Sequence, residues 1–131
     1  MRSEPRPRTM LVVDDEQKIC EVLTRYFSAR GFLVQTAFSG EEALQRLAEG
    51  APDFLLLDVL LPGLSGIEVL KQAKARYPRL RVVMITAFDQ VELWSEARLY
   101  GAVGYITKPF DFDDPTWSSQ LFADPFQKHS P

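Results

Sequence analysis

Residues 53–62 read DFLLLDVLLP. Six of the ten are Leu or Val, and Asp58 stands among them. An unbroken apolar run of this kind suits a strand buried on both faces of a parallel sheet. A carboxylate beside it costs free energy unless something at that place uses the charge. The stretch therefore poses two questions: what sheet it belongs to, and what the aspartate is for.

On either side the chain alternates between two hydrophobic periods. TMLVV (9–13) is a short apolar run with β-branched residues, the mark of a strand. The following EQKICEVLTRYFSARG carries Ile19, Val22, Leu23, Tyr26 and Phe27 at helical spacing, and Gly31 is a fitting stop. FLVQTAF reads as a second strand, and SGEEALQRLAEG as a helix with Ser39 and Glu42 at capping-box spacing and Gly50 at its end. DFLLL is the third strand. PGLSG is a turn, and IEVLKQAKARYP is a helix stopped near Pro78. RVVMITA, QVELWSEARLYG and VGYIT supply strand, helix and strand again. Strands alternating with helices imply an α/β fold: a doubly wound five-stranded parallel sheet with right-handed crossovers and helices on both faces.

Composition agrees with one domain. The chain has 131 residues, 46% of them hydrophobic and 25% charged, which is enough for a real core. Residues 1–8, with Pro5, Pro7 and three arginines, are expected to form a flexible arm, and 9–112 the folded domain. A net charge of −3 gives no electrostatic case for nucleic-acid or membrane binding. The single cysteine, Cys20, excludes an internal disulfide and is expected to be a small packing residue in a cytoplasmic protein. No apolar run is long enough to span a bilayer, and no signal-peptide pattern is present.

The strand ends answer the second question. Strand one runs into Asp14 and Asp15, strand three into Asp58, strand four into Thr86, and strand five into Lys108 and Pro109. In a parallel sheet these ends share one edge, where open α/β folds bind ligands. Each residue alone has an ordinary role as a helix cap, a strand-end hydroxyl or a surface charge. Together they place three carboxylates, a hydroxyl and an ammonium in one crevice, with Asp58 at its mouth beside the water. Clustered carboxylates call for a cation. Hard oxygen ligands suit Mg2+, and a carboxylate so surrounded can serve as a nucleophile toward phosphorus. No glycine-rich phosphate loop follows strand one, which argues against a nucleotide-binding enzyme. No second acid is placed to activate water, which argues against a phosphatase.

LVVDDE, LLLDVLLPGLSGIEVL, VVMITA and GYITKPF, in that order and spacing, resemble the receiver domain of bacterial two-component response regulators. The resemblance covers about residues 9–112 and implies a flavodoxin-like strand order 2-1-3-4-5. It implies that Asp58 is the phosphoacceptor, served by a histidine kinase or phosphotransfer protein. Asp14, Asp15, Asp58 and the backbone carbonyl of Leu60 would bind Mg2+. Thr86, Ala87, Lys108 and Pro109 would form the phosphoryl-binding and switch region, with a cis Lys108–Pro109 bond, and Tyr105 would be the aromatic switch. The output would be a changed binding surface for a downstream protein, or a homodimer through helix four, strand five and helix five. Only slow loss of the domain's own phosphoryl group is expected, with no substrate turned over.

Leu60 and Phe88 stand where the resemblance places the path of the hydrolytic water. Two apolar groups there imply a long-lived phosphoryl state, and an unchanged half-life in Leu60→Asn and Phe88→Glu would contradict it. The segment 113–131 departs from the pattern. Asp114, Pro115, Trp117, Leu121 and Phe122 suggest a short helix five cut off by Pro125, or an irregular tail. Trp94 belongs either to the core or to the output face, Tyr100 to the core, and His129 to neither a metal nor a phosphodonor site. With no DNA-binding or enzymatic region following, a stand-alone regulator or a piece of a longer protein is expected. The rival reading is a degenerate receiver acting as a constitutive docking module.

Overall fold

A computed structural model describes residues 7–87, 90–110 and 112–113. The elements follow in the expected alternation: β1 (Thr9–Val13), α1 (Gln17–Ser28), β2 (Leu33–Ala37), α2 (Gly40–Glu49), β3 (Phe54–Asp58), α3 (Gly66–Arg76), β4 (Arg81–Thr86), α4 (Val91–Leu99) and β5 (Gly104–Thr107). The five strands form one parallel sheet in the order β2-β1-β3-β4-β5. The expected fifth helix, with Asp114, Trp117, His129 and the rest of its segment, lies outside the described residues.

The leucine run behaves as a strand covered on both sides. Leu55 and Leu57 join a core with Leu11, Val13, Val82 and Met84 from the sheet and Leu47, Val69 and Leu70 from α2 and α3. Phe54 and Leu56 point the other way, toward Cys20, Leu23 and Phe27 of α1. Side chains alternate across a strand, so one apolar run feeds two cores. Phe110 and Phe112 pack against the α1-side core, with the Tyr26 and Phe112 rings 5.1 Å apart.

Local signals set the helix ends. Ser39 Oγ accepts from the Glu42 amide at 3.1 Å, and Glu42 Oε1 accepts from the Phe38 amide at 2.8 Å, so the cap works in both directions. Beyond α1, the Phe32 amide donates to Phe27 O and the Gly31 amide to Ser28 O, with Gly31 at φ 91°. This is the pairing of a Schellman ending, and the Phe27 and Phe32 rings meet beside it at 5.4 Å.

One expectation needs correction. Val22 is exposed, whereas Cys20 is buried with Leu23, Tyr26 and Phe27. The helix turns its 20–23–27 stripe to the sheet, and Val22 falls off the edge of that stripe. Just before β1, the Arg8 carbonyl accepts a hydrogen bond from the Leu33 amide.

Candidate functional site

The sheet delivers its strand-end residues to one edge. Asp14 is completely buried just beyond β1, its amide bonded to Ala37 O at 3.1 Å. Its Oδ1 accepts from the Glu16 amide at 2.9 Å, a short side-chain turn that opens α1. Asp58 is the last residue of β3, opposite Ile85 of β4. Thr86 ends β4 one position further on and is fully buried, and its carbonyl accepts from the Lys108 amide at 2.7 Å. That bond extends the β4–β5 pairing by one residue and keeps Lys108 beside the strand ends. The Lys108–Pro109 peptide is cis.

Lys108 reaches into the carboxylates. Its Nζ lies 2.7 Å from Asp14 Oδ2, 3.1 Å from Asp58 Oδ2 and 3.2 Å from Glu16 Oε1. Asp58 Oδ1 accepts from the Leu60 amide at 3.1 Å. Asp58 is therefore covered: only 4% of it is exposed, and it does not stand beside the water as its position at the strand end suggests. The physical reason is the Lys108 side chain, which closes over the carboxylate from just beyond β5, 50 residues away in sequence.

Charge and burial set the protonation behaviour. Burial, and then the Asp14 charge, raise the Asp58 pKa to about 6, against the lowering pull of Lys108 and the Leu60 amide. Burial alone would lower the Lys108 pKa, but hydrogen bonds and attraction from Asp14 and Asp58 together hold it above the usual lysine range. Cys20 is the buried neighbour of this site. Its Sγ donates to the Asp14 carbonyl at 3.3 Å, and burial and then the Asp14 charge push its pKa up to about 12. A thiol held protonated in this way is unreactive, in keeping with a packing role.

Oxygen atoms of Asp14, Asp15 and Asp58 lie within 4.8 Å of one another, with Asp15 exposed and the other two buried. Three carboxylates, or four with Glu16, against one ammonium leave a negative surplus. A divalent cation with oxygen ligands and retained waters fits that donor set. Leu60 is exposed at the rim, Ala87 is exposed after β4, and Phe88 lies outside the described residues.

Tyr105 of β5 is half-buried, its ring 5.6 Å from that of Trp94 on α4. Trp94 packs against the core on one side and carries Arg98 5.4 Å above its ring. Tyr100 packs against the same core, as expected, with the Lys71 ammonium 4.5 Å from its ring centre. Two participants had no reading in the sequence. Glu16 contacts Lys108, and Gly66, at the start of α3, lies directly against the Asp58 backbone.

Comparison with known proteins agrees with this geometry. Residues 10–116 match the model of the response regulator receiver domain. The chain is 41% identical over 103 residues to the DNA-binding transcriptional regulator NtrC of Escherichia coli, covering 79% of this chain and 22% of NtrC. It is 35% identical over 105 residues to sporulation initiation phosphotransferase F of Bacillus subtilis, covering 80% of this chain and 85% of that protein. Among solved structures, the CheX–CheY–beryllofluoride–Mg2+ complex from Borrelia burgdorferi superimposes with a TM-score of 0.83 at 30% identity, over 90% of this chain and 91% of that one. The receiver domain of NtrX from Brucella abortus gives 0.78 at 34% identity, over 88% and 99%. The chain belongs to the response regulator receiver family. It spans about a fifth of the length of NtrC. Among the described residues, no helix is long and apolar enough to cross a membrane.

Proposed function

We propose that the chain is a phosphorylation-dependent signalling receiver in which Asp58 takes a phosphoryl group from a histidine kinase or phosphotransfer protein. The observation that carries this reading is the buried Asp58 carboxylate, held at a sheet edge between an ammonium and two further aspartates. One carboxylate oxygen of Asp58 attacks the phosphorus of a phosphohistidine. The P–O bond forms as the P–N bond breaks, and the electron pair stays on the imidazole nitrogen. Lys108 and the Thr86 hydroxyl then hold phosphoryl oxygens. Asp14, Asp15, Asp58 and the Leu60 carbonyl would hold Mg2+, which when bound supplies positive charge against the charge on the transferring group.

The phosphoryl group biases the Thr86–Ala87 segment and Pro109 turn, and Tyr105 turns inward with it. The bias reaches the surface of α4 and β5, where Val91 is 73% and Leu99 78% exposed. Such a surface suits a downstream protein or a second copy of the chain. The reading includes no turnover beyond the domain's own phosphoryl group, no direct nucleic-acid contact by these residues, and a cytoplasmic setting. The DNA binding in the name of NtrC is a statement about that longer protein.

Intact mass after incubation with Mg2+ and acetyl phosphate tests the proposal. One phosphoryl adduct is expected, absent without Mg2+ and absent in Asp58→Asn. No adduct on folded protein would favour a constitutive docking module.

A further inference from the structure

The three carboxylates around Lys108 are unequal. Asp14 is shut off from water and Asp58 nearly so, whereas the Glu16 side chain is 63% exposed. Glu16 is the residue that precedes α1, and it reaches the ammonium from the solvent side. An ammonium carries three hydrogens, and this one already has three carboxylate neighbours within 3.2 Å. A phosphoryl oxygen that bonds to this ammonium competes with one of them. Asp14 is completely buried and makes the shortest of the three contacts, so it is the one least able to move away. Asp58 carries the incoming group. Releasing Glu16 returns a carboxylate to water that it already faces, and an exposed ion pair is weak. A dianionic group arriving beside Glu16 also repels it.

We propose that Glu16 is a positioning residue that tethers Lys108 in the unphosphorylated chain and is displaced by the phosphoryl group, so that it tunes how readily the phosphoryl-bearing state forms. The inference rests on the reading of Asp58 as phosphoacceptor. It assigns a role to a residue that neither binds the metal nor touches the phosphorus, and it makes that role a competition for one ammonium.

The test is a titration of the full chain, saturated with Mg2+, with beryllofluoride as phosphoryl mimic, followed by the fluorine resonance of the bound species. Four variants are compared with the parent, each checked for folding by circular dichroism. Glu16→Gln removes the tether and its charge. Glu16→Asp keeps the charge and withdraws it from Lys108 by one methylene. Glu21→Gln removes the same charge from an exposed position further along α1. Asp58→Asn removes the acceptor. Both Glu16 variants are expected to bind beryllofluoride about two- to five-fold more tightly, and Glu21→Gln to match the parent. The gain should shrink as salt is raised. Glu16 variants no tighter than the parent would overturn the tether. So would Glu21→Gln tightening as much as Glu16→Gln, because the effect would then be one of net charge. A parent that binds no better than Asp58→Asn would overturn the phosphoacceptor reading and the tether with it. Binding lost only in Asp58→Asn, with the Glu16 variants unchanged, would remove the tether alone.

Discussion

Asp58 and Lys108 depend on each other within one crevice. Asp14 and Asp58 are both buried, and Lys108 is the ammonium that faces them. Lys108→Ala would leave two buried carboxylates uncompensated and is expected to cost about 3–5 kcal/mol of stability, measured by urea unfolding in EDTA. Unchanged stability would mean that the crevice opens to water. The Asp58 pKa of about 6 has a separate consequence, because its ordinary value is 3.8. Between those values the folded chain holds a proton that the unfolded chain has released. Stability should therefore fall as pH rises from about 4 to about 6. Lys108, whose pKa is raised, stays charged through that window and adds no slope. Asp58→Asn should abolish the decline and, without metal, exceed the parent by about 3 kcal/mol at neutral pH. A variant that retains the full slope would contradict the assignment.

At the scale of elements, the legible features were those written in local sequence. The two-sided apolar run of β3, the Ser39–Glu42 cap and the glycine after α1 all act within a few residues, and all appear as read. The polar residues at the ends of β1, β3, β4 and β5 were equally plain. What could not be read is what covers what. Glu16 meets Lys108 across 92 residues of sequence, and the burial of Asp58 depends on that same lysine. Ser65 and Glu68 do show cap spacing, split between the run PGLSG and the helix after it, and Ser65 Oγ accepts from the Glu68 amide at 3.2 Å. Gly66 gave no local signal. A methyl group there would overlap the Asp58 carbonyl oxygen and come within 2.9 Å of Val59 Cα. Backbone atoms cannot yield as a side-chain tip can. Gly66→Ala is thus expected to cost about 1–3 kcal/mol or more in thermal or urea unfolding and to shift the Asp58 backbone. A variant as stable as the parent would show that α3 can back away from β3.

For the molecule as a whole, the parallel sheet sets the site at one edge and leaves α4 and β5 as the neighbouring surface. Trp94 lies between the two, 5.6 Å from Tyr105. If Tyr105 turns inward when the crevice is loaded, the indole loses its ring neighbour. In a Trp117→Phe background, Mg2+ with beryllofluoride should then change Trp94 emission, and Tyr105→Ala should remove most of the change. Bound beryllofluoride with unchanged emission would uncouple the crevice from that face.

The central claim is that Asp58 carries the phosphoryl group, and borohydride trapping tests it most directly. An aspartyl phosphate is an acyl phosphate, and its reduction converts the residue to homoserine. Chain treated with Mg2+ and acetyl phosphate, reduced and digested, should yield homoserine at position 58 and at no other aspartate. Homoserine at Asp14 or Asp15, or none despite a phosphoryl adduct on the intact chain, would contradict the account.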